Sequence, residues 1–90
     1  MPQITATLAH AVGLHARPAA LFVQTAKRYA ATITVRVGER QANAKSMVQV
    51  LTLAAKQGAQ LAIQADGDDA DQALGALGEL IATNFGEGAQ

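Results

Sequence analysis

Apolar and polar residues alternate without a break over Gln3-Ile4-Thr5-Ala6-Thr7-Leu8, placing Ile4, Ala6 and Leu8 on one face and Gln3, Thr5 and Thr7 on the other. That period belongs to a strand buried on one side. It returns over Thr32–Val37, with Ile33, Val35 and Val37 inward, and over Gln60–Ala65, with Leu61, Ile63 and Ala65 inward. Between the first two strands the period lengthens. From Pro18 to about Tyr29, Ala19, Phe22, Val23 and Ala26 fall at i, i+3, i+4 and i+7, and Gln24, Lys27 and Arg28 lie off that stripe, which predicts an amphipathic helix. Lys27 and Arg28 suit the negative end of its dipole. A last helix is predicted from about Ala70 to Thr83, its inner face made by Ala70, Ala73, Leu74, Leu77, Leu80 and Ile81. Gly75 and Gly78 inside it each cost roughly 1 kcal/mol of propensity relative to Ala, so this helix relies on packing.

Turn and cap residues divide these segments. Gly38-Glu39 predicts a tight turn into a short strand over Arg40–Ala44, making a hairpin. Ser46, with Gln49 three residues on, has the form of a capping box and opens the apolar segment Met47–Ala54 as a short helix, with Gly58 at its exit. Asp66-Gly67-Asp68 turns the chain toward Asp69, the expected N-cap of the last helix. The glycine-rich end, 84–90, is expected to fray. The order is therefore βαββαβα. The predicted fold is α+β, an open-faced two-layer sandwich: a four-stranded antiparallel sheet with three helices on one face and a Thr/Gln/Arg face in water. Without a linker or internal repeat, residues 1–90 read as one domain.

Composition narrows the function. A chain of 90 residues buries roughly 60–65% of its unfolded surface, enough for one small core. With two Phe, one Tyr and no Trp, that core is aliphatic. Seven basic residues offset seven acidic ones and no basic run stands out, which argues against nucleic acid or an anionic membrane as the main partner. The absence of cysteine excludes disulfides and thiolate metal sites. The acidic group Asp66, Asp68, Asp69 and Asp71 lacks the spacing of a calcium loop and suits a helix start. His10 has no partner at ligand spacing, so neither a metal nor a cofactor is expected. No apolar run approaches the ~18 residues of a membrane span, and a soluble cytoplasmic monomer without membrane insertion is the expectation.

The chemistry concentrates in Gly13-Leu14-His15-Ala16-Arg17-Pro18. Gly13 suits a turn and Pro18 the first turn of a helix. The amides of Ala16 and Arg17 would then lie at the positive end of a helix dipole, where an anion is welcome. A neutral imidazole is nucleophilic near pH 7, since its unperturbed pKa is about 6.5. His15 therefore reads as a residue that accepts and passes on a phosphoryl group, with Arg17 forking onto the phosphate oxygens. On spacing alone, a solvated loop histidine followed by a helical arginine is an equally good reading. There is no phosphate loop ending in Lys-Ser or Lys-Thr, and no carboxylate is adjacent in sequence to orient His15 as in a hydrolytic triad. A carrier fits better than a complete enzyme.

Two separated motifs, Gly13-Leu14-His15-Ala16-Arg17-Pro18-Ala19 and Lys45-Ser46-Met47-Val48, with Leu53 and Gly58 beyond, resemble the histidine-containing phosphocarrier family, HPr, of the bacterial phosphoenolpyruvate-dependent sugar phosphotransferase system. The resemblance spans nearly the whole chain. It implies that His15 is phosphorylated on Nδ1 by phosphorylated enzyme I and relieved by the IIA domain of a sugar permease, with Arg17 and the amides of Ala16 and Arg17 holding the phosphate. It further implies that Ser46 is a regulatory site, phosphorylated by an ATP-dependent HPr kinase/phosphorylase, with about two added negative charges weakening docking to enzyme I. A transcription regulator is a further implied partner of the phosphoserine form. Ala20, Gln24, Met47, Val48 and Leu51 match docking positions; if Val50 and Leu53 point inward, Met47, Val48 and Leu51 lie toward the other side. Two departures stand out. Val12 replaces the Asn or Ser of many members, which alters phosphohistidine lifetime, and Gln49 stands where glycine is common, which alters partner preference. The alternatives are a carrier of a nitrogen-related or purely regulatory relay, and an interaction module without transfer.

Overall fold

A computed structural model of the chain describes residues 2–8, 16–53, 56 and 58–83. The elements follow the predicted order: β1 (Gln3–Thr7), α1 (Ala16–Ala26), β2 (Thr32–Val37), β3 (Arg40–Asn43), α2 (Met47–Thr52), β4 (Gln60–Asp66) and α3 (Ala70–Ala82). The sheet is antiparallel throughout, in the order β1-β4-β2-β3. Because side chains alternate along a strand, register decides which residues share a face. Ile4 stands opposite Ile63 and Ile63 opposite Val35, and this row continues into Ala42. Ile33, Val35, Leu61, Ile63 and Ala65 are buried, while Gln3, Thr34 and Gln64 form one row of the opposite, polar face.

The helices close the apolar face. Helix α3 packs on β1 and β4, α1 packs against α2 and α3, and α2 packs on β3. Phe22, Ala19, Val23 and Ala26 of α1 are buried with Ala70, Ala73, Leu74, Leu77 and Ile81 of α3. Gly78 permits the approach of α3 to β1, since a Cβ there would stand 3.1 Å from Ile4 Cδ1. Leu8, one residue past β1, is buried because its pairing outlasts the strand: its N–H donates to Ala59 O at 2.8 Å and its C=O accepts from Gly58 N at 2.7 Å.

Two helix ends are corrected, and the N-cap of α3 is where it was expected but bonds differently. Helix α1 ends at Ala26, three residues before Tyr29. Lys27 N–H still donates four residues back to Val23, but Arg28 and Tyr29 donate three back, to Thr25 and Ala26, so the helix tightens into turns and the basic pair lies beyond its end. Helix α2 stops at Thr52, and Leu53 is its C-cap. Asp69 occupies the N-cap position of α3 without a capping side-chain bond; its carboxylate is engaged elsewhere.

Candidate functional site

The start of α1 is held from within. Pro18 and Ala19 are buried, which anchors the first turn, while Ala16 and Arg17 just ahead of them are exposed. Proline suits this place because its missing N–H has no partner in a first turn anyway. The backbone of Ala16 and Arg17 thus lies at the solvent-facing helix start. His10, Val12, Gly13 and His15 lie outside the described residues.

Helix α2 forms because Ser46 caps it. The residue is extended, with φ −109° and ψ 113°, and its Oγ accepts from Gln49 N at 3.4 Å. The capping box is not reciprocal. Ser46 N–H already donates to Asn43 O at 3.0 Å, and Gln49 Oε1 accepts instead from Asn43 N at 2.9 Å. Val50 and Leu53 are buried, and the helix period then turns Val48 and Leu51 outward: Val48 is 76% and Leu51 39% exposed. Met47 is only half out, packed against the core. On the neighbouring α1, Gln24 is exposed and Ala20 half-buried. Val48 and Leu51 are the large hydrophobic residues that stand exposed among the described residues.

The sequence reading missed the polar seam beside this helix. Asn43 Oδ1 accepts from Lys45 N at 2.9 Å, an Asx-type turn that an Asn two residues before Lys45 could have signalled. Lys45 Nζ donates to Tyr29 O at 2.7 Å; nothing local in sequence announces that bond. Asp69 accepts from Ala30 N at 2.8 Å and Ala31 N at 2.9 Å, fastening the turn between α1 and β2 to the start of α3. The Ala30 amide is the main cause that holds the Asp69 carboxyl below the usual carboxylate range; partial desolvation opposes it, and the Ala31 amide, its own backbone amide and the charge of Lys45 assist. Among the described residues no helix is long and apolar enough to cross a membrane, and no group of three or more His, Cys, Asp or Glu is placed to hold a metal ion.

The family model described as PTS HPr component phosphorylation site matches residues 2–83. The chain belongs to the HPr family. Its likeness to the phosphocarrier protein HPr of Mycoplasma capricolum is 43% identity over 81 residues, covering 90% of this chain and 91% of that one. The fold repeats that of an HPr from Thermoanaerobacter tengcongensis, with a TM-score of 0.93 and 42% identity, covering 97% of this chain and 98% of the other. It is also 44% identical over 80 residues to the multiphosphoryl transfer protein of Salmonella typhimurium, covering 86% of this chain and 21% of that much longer one. Members of the HPr family are phosphocarriers, not enzymes, and the open-faced sandwich is their fold.

Proposed function

We propose that residues 1–90 act as one cytoplasmic, monomeric phosphocarrier unit with His15 as its transient nucleophile. His15 Nδ1 attacks the phosphorus of phosphorylated enzyme I; the new N–P bond forms as the bond from that phosphorus to enzyme I breaks. The phosphoryl group then leaves His15 for a IIA domain of a sugar permease. Arg17 and the backbone amides of Ala16 and Arg17 hold the phosphate, and partner enzymes supply the remaining catalytic groups. The observation that carries this reading is the helix start just past His15: Ala16 and Arg17 exposed, Pro18 and Ala19 anchored in the core. An anion at such a start gains from the positive end of the helix dipole and from the N–H groups of the first turn. Ala20, Gln24, Met47, Val48 and Leu51 form the docking surface.

Ser46 is the regulatory site in this reading. Its place as the N-cap of α2, with exposed Val48 and Leu51 two and five residues on in the same short helix, favours that role: a dianionic group there adds charge next to the apolar side chains of that helix and weakens docking to enzyme I. An HPr kinase/phosphorylase supplies the phosphoryl group, and a transcription regulator reads the product. The test is incubation with phosphoenolpyruvate and enzyme I, followed by intact-mass analysis before and after mild acid. An acid-labile adduct on the wild type that is absent from His15→Ala is expected. No adduct with a competent enzyme I would favour an interaction module without transfer. For regulation, Ser46→Asp slows transfer from enzyme I; an unchanged rate contradicts it.

A further inference from the structure

Gln49 stands at the third position of α2 and does not do what that position usually does. In a reciprocal capping box its side chain would fold back onto the N–H of the N-cap residue. Here Ser46 N–H is taken by Asn43 O at 3.0 Å, and the Gln49 amide reaches past it to the N–H of Asn43 at 2.9 Å. Ala44 donates inward to Ile33 O on β2, so alternation turns the N–H of Asn43 toward the open edge of β3. Gln49 therefore ties α2 to the edge of the sheet. Asn43 makes two further bonds, accepting from Ser46 N through its backbone and from Lys45 N through Oδ1 at 2.9 Å. Ser46 lies inside this loop of bonds, and Gln49 closes it twice: through its side chain to Asn43 and through its N–H to Ser46 Oγ at 3.4 Å.

We propose that Gln49, through its clasp on Asn43, is a positioning residue for phosphorylation of Ser46. The proposal rests on the reading of Ser46 as a regulatory phosphosite. In the reaction, Ser46 Oγ attacks the γ-phosphorus of a nucleoside triphosphate; the Oγ–P bond forms, the bond from that phosphorus to the diphosphate breaks, and the hydroxyl proton passes to a base of the kinase. The long bond from Gln49 N uses Oγ only as an acceptor and leaves its proton for that base. What the clasp adds is a fixed direction for the attacking oxygen, because it holds the N-cap backbone in place before the donor arrives. Orientation of this kind acts on turnover more than on binding.

The full chain is phosphorylated by an HPr kinase/phosphorylase with ATP, and kcat and KM for Ser46 are measured in wild type, Gln49→Met and Gln49→Glu. Methionine keeps the length and removes the acceptor; glutamate keeps the acceptor. Amide exchange at Asn43 reports the clasp directly. Gln49→Met is expected to lower kcat about tenfold, as loss of one orienting hydrogen bond does, with KM little changed and Asn43 exchange faster. Gln49→Glu restores both. Wild-type kcat in Gln49→Met, with fast Asn43 exchange, overturns the proposal. Equal losses in both variants overturn it too, since then the amide is recognised for itself. A wild-type chain that takes no phosphoryl group on Ser46 overturns the regulatory reading and the proposal with it.

Discussion

Asp69 illustrates how one carboxylate can look like a cap and serve as a latch. It holds the N-cap position of α3, but its two oxygens accept the amides of Ala30 and Ala31. Those bonds favour the charged form and hold its pKa low. A carboxyl whose folded pKa lies below its unfolded value adds stability at pH above the unfolded pKa, about 4, and loses it as pH falls through the folded one. Asp69→Asn removes the charge and one of the two acceptors. Its unfolding midpoint is expected below wild type at pH 7, with the gap closing as pH is lowered beneath about 4. A gap constant across thermal scans from pH 7 to pH 3 would show that the latch does not depend on ionisation. The sequence announced the acid at this position but not its target, because Ala30 and Ala31 lie almost forty residues away and offer only backbone.

At the scale of elements, two glycines separate tight packing from open space. Gly67, between β4 and α3, has φ +152°, and a Cβ on it would meet Ala31 Cα at 2.8 Å. Gly67→Ala therefore forces a backbone shift and is expected to destabilise by about 1–3 kcal/mol. Gly75, inside α3, has nothing within 4 Å of an added Cβ, so Gly75→Ala should stabilise by up to about 1 kcal/mol through helix propensity. Denaturant unfolding with unchanged slope checks both; a shift of the same sign at the two sites would contradict the packing argument. The strands were readable because alternation in Ile33-Thr34-Val35 or Leu61-Ala62-Ile63 has one structural meaning on a half-buried sheet. Helix ends were less so. The stripe of α1 is spent by Ala26; Lys27 and Arg28 are polar, and Tyr29 packs against the core from the turn beyond the helix, so its apolar body does not tell a further helical turn from an exit. The Ser46–Gln49 pair named its helix correctly yet hid the strand edge that Gln49 serves, since a capping box describes local bonds and Asn43 is a tertiary neighbour.

Across the whole molecule most large apolar side chains of the described residues are buried, but Val48 and Leu51 are not, and the difference is measurable. A single layer of helices over one sheet face gives a core in which Phe22, Leu8, Ile33, Leu61, Ile63 and Leu77 are among the fully buried large side chains. Cutting Phe22 back to Ala leaves a void in that layer and should cost about 3–5 kcal/mol. Val48 is as apolar as its neighbour Val50, but it is 76% exposed where Val50 is fully buried. Folding gains little from Val48, so Val48→Ser is expected to leave stability within about 0.5 kcal/mol of wild type. If the outward face of α2 is where enzyme I and IIA domains seat, the same change removes contact area from those complexes. A loss of about 1–2 kcal/mol is typical of an interface anchor and corresponds to a five- to thirtyfold rise in KM for phosphoryl transfer. Unfolding midpoints and transfer kinetics on the same two variants separate folding from docking: Phe22→Ala should fall in stability, and Val48→Ser in partner affinity alone. Transfer by Val48→Ser at wild-type KM from enzyme I and to a IIA domain would remove this face of α2 from the docking surface, and leave the exposed valine without a role in either folding or exchange.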